Sequence, residues 1–414
     1  MKKILFILYT CCILLFPVSA QQIPSFKAND RIVFLGNSIT EGGHYHSYIW
    51  LYYMTHFPEL PLRIYNGGIG GDCASHMVFR FDSDIKIKKP TYLVCSFGMN
   101  DSGYDGYNKP GYDKYANKQV EYANTEFGKL QQQILADKKI KNVVLLGSSP
   151  YDENVKLEGV ETLHGKNETI KRIIEMQAEV AQKRGWGFVN FNTVMCELNK
   201  EIQQSDSTAT FCGGDRIHPD KDGHMVMAYL FLKAQGLAGK EVAYFHINAT
   251  NRKAMEERNC RITHIKNEND TISFSYLSRS LPFPVDTIPR WGTKGTARDA
   301  VRQVPFMQEM NQEIMKVTDL HGNFRVTIDG TEIGRWDGNE LSKGINLAEI
   351  TCTPQYQQSL SIMYLNEERC AIEKRLRQYM AMQYVFFKHR GLLFADNKAA
   401  LDAAKAERES HYLV

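Results

Sequence analysis

The sequence predicts an α/β fold: a doubly wound parallel sheet of five strands, followed by an additional α+β region. Three observations carry this. Short apolar runs of strand length alternate with stretches of helical spacing through about residue 237. The apolar runs read as strands buried on both faces, as strands covered by helices on either side must be. The first three end in turns that carry glycine, and open α/β sheets place their sites at the carboxyl ends of their strands.

The first run, Arg31 to Leu35, ends in Gly36, Asn37 and Ser38. The second, Leu62 to Tyr65, runs into Asn66 and a glycine cluster (NGGIGGD, Asn66 to Asp72), which lets bare backbone approach a ligand. The third, Tyr92 to Phe97, is followed by Gly98, which frees the turn that presents Asn100. Asn142 to Leu146 and Gly187 to Phe191 supply the fourth and fifth strands. Between them, Tyr115 to Asp137 and Asn167 to Arg184 have helical spacing. The last helix of this region is expected after Pro219, capped by Asp222 and running through Met225, Ala228 and Leu232 towards Gly236.

The organisation expected is a leader over residues 1–20, a first domain over 21–240 and a further region over 241–414. In the last, Thr271 to Leu277 alternates like a strand, and Phe324 to Trp336 reads as a hairpin turning at Asp329-Gly330. Ala297 to Val317 reads as a helix. Thr353 as cap and Pro354 at the first helical position open a long helix, about 354–390, that stops at Gly391. Ile372, Leu376, Tyr379 and Met380 form a stripe on it that needs a partner: the rest of this chain, or a second copy in a coiled-coil homodimer. Glu367, Glu368, Lys374 and Arg375 are expected outside. Asn397 to Ser410 reads as a further helix. A Pro, Trp and Arg cluster, Ser280 to Pro284 through Arg290-Trp291, fits either a wall of the substrate cleft or plain loop packing.

Four separated pieces carry the chemistry: Gly36-Asn37-Ser38, Asn66 to Asp72, Gly98-Met99-Asn100-Asp101 and Asp215-Arg216-Ile217-His218-Pro219. Singly, each has a bland reading as a helix cap, a turn or a chance pairing. Jointly they supply a nucleophilic hydroxyl, two donors for an oxyanion, and a carboxylate three residues before a base, which are the roles acyl transfer needs. The set resembles the SGNH (GDSL-type) hydrolases over roughly residues 30 to 237. The resemblance implies Ser38, Asp215 and His218 as catalytic residues and Ser38, Gly71 and Asn100 as the oxyanion hole, with no metal and no cofactor. One departure stands out, since the family's usual Gly-Asp-Ser is here Gly-Asn-Ser, and Asn37 keeps the shape of Asp without its charge. Rival motifs fail: Gly68 to Cys73 lacks the third glycine of G-x-G-x-x-G, and neither a P-loop lysine motif nor a G-x-S-x-G elbow occurs.

Met1-Lys2-Lys3, the apolar Ile4 to Pro17 and Val18-Ser19-Ala20 read as a secretory signal cleaved near Ala20, so the expected location is periplasmic or extracellular. The apolar stretch falls short of the roughly 20 residues of a membrane span. A lipoprotein reading through Cys11 or Cys12 would cut that stretch in half. With 50 basic against 47 acidic residues, Lys2 and Lys3 among the former, nucleic acid is not an expected partner. Beyond the leader, Cys73, Cys95, Cys196, Cys212, Cys260, Cys352 and Cys370 are too sparse for a disulfide framework. Cys95 is expected in the core, while Cys73 and Cys212 lie near the site loops. His44 and His46 have no evident third ligand, so a helix-start or substrate-facing role is expected over a metal site. The leading expectation is an exported O-acetylesterase acting on a carbohydrate, from small molecule to polysaccharide. A lipid acylhydrolase or thioesterase is the alternative enzyme, and a sugar-binding protein without activity the alternative of another class.

Overall fold

Strand β1 (Arg31–Gly36) pairs in parallel with β2 (Arg63–Gly68) on one side and β3 (Tyr92–Phe97) on the other; β4 (Asn142–Gly147) and β5 (Gly187–Asn190) complete an all-parallel sheet of order β2-β1-β3-β4-β5. The structure, a computed structural model, describes residues 22–269, 271–289 and 293–382, together with the isolated positions Asp402 and Ala406. The leader, Arg290-Trp291, the stop at Gly391 and all but those two positions of the expected tail helix lie outside the described residues.

Side-chain alternation along the strands builds two separate cores. Ile32, Phe34, Val94, Val144 and Leu146 face one way, against the helices α1 (Ser38–Gly42) and α2 (His44–His56) and, later in the chain, α6 (Phe191–Ile202) and α7 (Lys221–Ala234). Val33, Leu35, Leu93, Cys95, Phe97 and Leu145 face the other, against α3 (Ala74–Arg80) and α4 (Tyr112–Ala136). Helix α5 (Lys166–Arg184) lends residues to both. Apolar cover on both faces is what makes the strands read as unbroken hydrophobic runs. Because β1 sits between β2 and β3, the crossover from β1 to β2 and the one from β2 to β3 run in opposite directions. The resulting crevice at its carboxyl end is where such sheets hold ligands.

The remaining chain is richer in strands than its sequence pattern indicated. β6 (Ala243–Asn248) and β7 (Lys253–Arg258) join, beyond a β8 (Cys260–Glu268) and β9 (Thr271–Ser278) hairpin, with later strands. The stretch expected as one helix, Ala297 to Val317, is two short helices, α8 (Ala297–Ala300) and α9 (Phe306–Met310), and then a strand, β10 (Glu313–Thr318). Pro305, which cannot donate to a helical ladder, separates the helices, and Glu313 to Thr318 alternates buried and half-buried along its parallel pairing with β6. The hairpin β11 (Asn323–Ile328) and β12 (Thr331–Asp337) turns at Asp329-Gly330 as expected; after helix α10 (Gly338–Lys343), β13 (Ile345–Asn346) completes a sheet of order β13-β10-β6-β7. Phe283, Ala297, Ala300, Phe306 and Met310 pack into the core beside α2 and α7, so this region is fused to the first one. Phe283 meets Phe306 at 5.0 Å and Tyr48 at 6.4 Å, which makes Ser280 to Pro284 packing.

Helix α11 (Pro354–Ala381) begins as expected, with Thr353 Oγ1 accepting from Tyr356 N–H. Its docking face is not the expected one. Ile372, Leu376 and Tyr379 are exposed, and only Met380 of the stripe is buried. The face turned inward carries Tyr356, Ser359, Met363, Asn366, Cys370 and Arg377, and Glu367 and Lys374 are half-buried. Hydrogen bonds decide this orientation: Asn366 Nδ2 donates to Ser47 O and Oγ at 3.1 and 2.9 Å, and Glu373 Oε1 accepts from Asn66 N–H at 2.7 Å. Helix α7 likewise starts earlier than expected, with Asp220 rather than Asp222 at the cap position.

Glu313 Oε1 accepts from Tyr276 O–H at 2.8 Å and from Gln355 Nε2 at 3.0 Å, tying β10 to the β8–β9 hairpin and to α11. Burial raises its carboxyl to about 7, against the hydrogen bonds that favour the anion. The folded state therefore holds a proton that the unfolded chain releases above its ordinary value of about 4.3. Stability from this group is complete below that value and declines as pH rises through 7. Glu313→Gln should flatten the fall in Tm between pH 5 and 8; a pH dependence identical to that of the parent protein would show that Glu313 does not titrate there.

Candidate active site

At the end of β1, Gly36 is required by contact: a Cβ there would lie 2.0 Å from Thr40 Oγ1. Asn37 then caps α1, its Oδ1 accepting from Ile39 N–H at 3.0 Å. The amide thus makes a capping bond that an aspartate could also make. Ser38, the first residue of α1, places its Oγ 2.7 Å from His218 Nε2. His218 Nδ1 lies 2.5 Å from Asp215 Oδ2, and Asp215 Oδ1 accepts the backbone N–H groups of Ile217 and His218 at 2.9 and 2.8 Å. Burial opposes the anion, but the bonds from His218 hold the Asp215 carboxyl below the usual carboxylate range. Ser38, Asp215 and His218 line one cavity of about 510 Å³ together with Glu41, Asp220, His224, Thr293 and Lys374.

Arg216 holds the Asp215–His218 loop in place. It is buried with φ +71°, and its Nη1 donates to Asp152 O and Val155 O at 3.1 and 2.5 Å, anchoring the loop to residues 152–155. Gly213 closes the loop from the other side: at φ +72°, a Cβ would sit 1.9 Å from His218 O.

The other expected donors, Gly71 and Asn100, are not among the residues lining the Ser38 cavity. Asn100 Nδ2 donates to Asp72 O at 2.9 Å, while its Oδ1 accepts from Tyr104 O–H at 2.8 Å, which fixes the amide's orientation. Asp101 holds both loops, accepting from Ala74 N–H at 2.7 Å and Gly98 N–H at 2.8 Å. Lys166 Nζ, lowered to about 7 by burial, donates to Met99 O, Ser102 Oγ and Gly103 O and lies 3.7 Å from the Tyr104 ring. Gly71 is at φ +80°, and a Cβ on neighbouring Gly70 would come within 3.9 Å of Ser38 Cβ, so the glycine loop lies beside the serine.

Beneath this loop lies a buried charge cluster. Asp84 takes Arg80 Nη1 at 2.5 Å, Lys88 Nζ at 2.6 Å and Arg377 Nη1 and Nη2 at 2.8 Å each. Burial disfavours its charge, but the cations of Arg377 and Lys88 hold it well below the usual range. Arg80 also donates to Asp72 Oδ2, Gly36 O and Gly67 O. Sequence reasoning missed Tyr104, Lys166, Arg216 and Arg377. Arg216 lay within a quoted motif; the other three carried no signal of spacing.

His44 begins α2, 3.8 Å from Glu367, and buried His46 donates Nε2–H to Thr40 O at 3.2 Å with its basicity pushed down to about 3 by burial. His46 is thus a core residue, and neither histidine lines the cavity. All seven cysteines of the described residues are free thiols; Cys95 is buried, and Cys212 Sγ accepts from Asn199 Nδ2 at 3.4 Å. No helix among the described residues is long and apolar enough to cross a membrane.

A strand-end serine in contact with a histidine and an aspartate three residues apart, on a β2-β1-β3-β4-β5 sheet, defines the class, and comparison with known proteins agrees. Residues 34–226 match the GDSL-like lipase/acylhydrolase family, and residues 360–414 match the diltiazem deacetylase C-terminal helical domain. A gut microbial diltiazem-metabolizing enzyme of known structure is 50% identical over 93% of this chain and 87% of its own, with a TM-score of 0.89. The acetylxylan esterase of Geobacillus stearothermophilus is 22% identical over 224 residues, 50% of this chain and 95% of that one. The chain belongs to the SGNH (GDSL-like) hydrolase family and is an ester hydrolase.

Gly213→Ala should displace His218, because backbone at 1.9 Å cannot yield as a flexible side chain would. We expect kcat/KM to fall by about a hundredfold or more, as small misplacements of reacting groups do, with the circular dichroism spectrum retained. Activity near that of the parent protein would show that the loop absorbs the change.

Proposed function

We propose that the chain is an O-acetylesterase working through an acetyl-enzyme, with Ser38 as nucleophile, His218 as general base and Asp215 as its orienting acid. The observation that carries this is the continuous contact from Ser38 Oγ through His218 to Asp215, at 2.7 and 2.5 Å. Ser38 Oγ attacks the ester carbonyl as His218 Nε2 takes its proton, and Asp215 stabilises the imidazolium. The tetrahedral oxyanion is received by the N–H groups of Ser38 and Gly71 and by Asn100 Nδ2. Collapse expels the alcohol, which takes the proton back from His218; water, activated by the same base, then releases acetate and restores Ser38.

Acetate as the acyl group is supported by the deacetylase named in the C-terminal family match and by the acetylxylan esterase relative. For the alcohol portion we read an acetylated carbohydrate as the natural substrate class, with diltiazem-like acetates as the rival, favoured by the 50% identical relative. Met1 to Ala20 we read as an export signal, which suits action on polymers outside the cytoplasm. Acetate release from acetylated xylooligosaccharides and from diltiazem, compared as kcat/KM, separates the two substrate readings. p-Nitrophenyl octanoate hydrolysed faster than the acetate would replace both with a lipid acylhydrolase. The mass of the protein recovered from the periplasm tests cleavage near Ala20.

Ser38→Ala should lower kcat by several orders of magnitude with the fold intact. Asp215→Asn should cost less than His218→Ala, up to about ten-thousandfold. Since the Asp215 carboxyl is held below its usual range, it stays ionised throughout the region where imidazole titrates. The acid limb of kcat/KM against pH should therefore carry one ionisation, and a limb of slope two would assign a second titrating group to the reaction.

A further inference from the structure

Helix α11 reaches the carboxyl end of β2 from the far end of the chain, where Met380 packs on Ile69 and the remaining contacts are polar. Arg377, fully buried, spends its whole fork: Nη1 and Nη2 go to Asp84, and Nε donates to Gly68 O at 2.9 Å. Gly68 is the last residue of β2 and directly precedes Ile69 to Asp72, the loop that carries Gly71. Asp84, held from one side by Arg377, is held from the other by Arg80, which also grips Asp72, Gly67 O and, at the end of β1, Gly36 O. Asp72 O in turn accepts from Asn100 Nδ2. One turn before Arg377, Glu373 accepts from Asn66 N–H, and Lys374 lines the cavity that contains Ser38.

Every segment that carries a proposed oxyanion donor therefore meets this chain of guanidinium and carboxylate groups: β1 before Ser38, the glycine loop before Gly71, and Asn100 through Asp72. We propose that Arg377 is a positioning residue of the oxyanion hole, so that the C-terminal helix completes the active site. The proposal rests on the serine-esterase reading above. The planar fork matters as much as the charge: it fixes the Gly68 peptide plane and the Asp84 carboxylate relative to each other, which a lysine ammonium, a single point charge, cannot do.

The test compares Arg377→Lys with the parent protein and Ser38→Ala. Active sites are first counted by stoichiometric labelling with a fluorophosphonate. Then kcat per labelled site and KM are measured with p-nitrophenyl acetate, together with the inhibition constant of a trifluoromethyl ketone, which forms an oxyanion on the serine. We expect kcat per site to fall roughly tenfold to a hundredfold, ketone affinity to fall with it, and KM to stay within about twofold, as loss of an interaction made only in the transition state requires. Glu373→Ala, at a less buried contact of the same helix, is the second variant and stands in should Arg377→Lys not fold; a smaller loss of the same pattern is expected. Unchanged kcat per site and ketone affinity in the folded variants, with only Tm or the labelled fraction reduced, would overturn the proposal and leave α11 a scaffold. Failure of the serine-esterase reading has another signature: Ser38→Ala stays active, or the fluorophosphonate does not label the parent protein.

Discussion

The carboxylate of Asp84 is the constraint around which the rest of the molecule is arranged. It is fully buried and takes charge-assisted hydrogen bonds from Arg80, Lys88 and Arg377, three cations drawn into an interior otherwise lined by Phe81, Ile85 and the undersides of β1 and β2. Burying four charges is costly, and a hydrophobic cluster of the same volume could be as stable or more so. What such a cluster could not do is point donors at the carbonyl oxygens of Gly36, Gly67 and Gly68, which end two adjacent strands and have no side chains to hold them. Breaking one arm of an array of this kind typically costs about 3–5 kcal/mol, because the remaining charges stay buried.

This clarifies the division of labour in the site. Ser38, His218 and Asp215 are placed by local means: an Asn cap, a Gly213 turn with no room for a side chain, and an Arg216 plug. The dyad of Asp215 and His218 remains half-exposed at the cavity mouth. The neighbouring glycine loop has local support too, a turn from Asp72 N–H to Ile69 O, but also leans on the distant Arg377. Nearer side-chain bonds are Arg80 Nε to Asp72 Oδ2 at 2.7 Å and Gly70 N–H to Glu41 Oε2 at 2.6 Å. Glu41 also lines the cavity.

The first domain was legible in sequence because its signals are local and repeated. Arg31 to Leu35 and Tyr92 to Phe97 are apolar throughout or nearly so, each ends at a glycine or just before one, and the helices Tyr112–Ala136 and Lys166–Arg184 each have one apolar face; the strands and their parallel class follow from that. The second region was less legible for physical reasons. Strands such as Lys253–Arg258 are almost wholly exposed and carry no apolar alternation, and Glu313–Thr318 reads equally as helix until its pairing with β6 is known. On α11 the apolar pattern pointed the wrong way, since the helix is seated by Asn366, Glu373 and Arg377. A buried ion pair leaves no periodic trace in a sequence, because the same residues on the same helix serve as solvent-facing charges everywhere else. The meeting of Ser38 and His218 could be anticipated from motif, whereas Arg377 could be found only by its neighbours.

The reach of that ion pair along the chain bears on how the molecule is made. Arg80 and Lys88 lie within four residues of Asp84, so a nascent chain has two of the three cations as soon as α3 and the turn after it emerge. The third arrives 293 residues later. Until it does, Asp84 and the carbonyl of Gly68 lack their last partner. Strands β1 to β5 have hydrophobic faces of their own, but the α11 bonds to Asn66 N–H and Gly68 O wait for the last long helix. Biosynthesis thus separates the strands of the scaffold from the last support of its working edge, and a chain interrupted between β5 and residue 377 would carry all five strands but an unfinished rim.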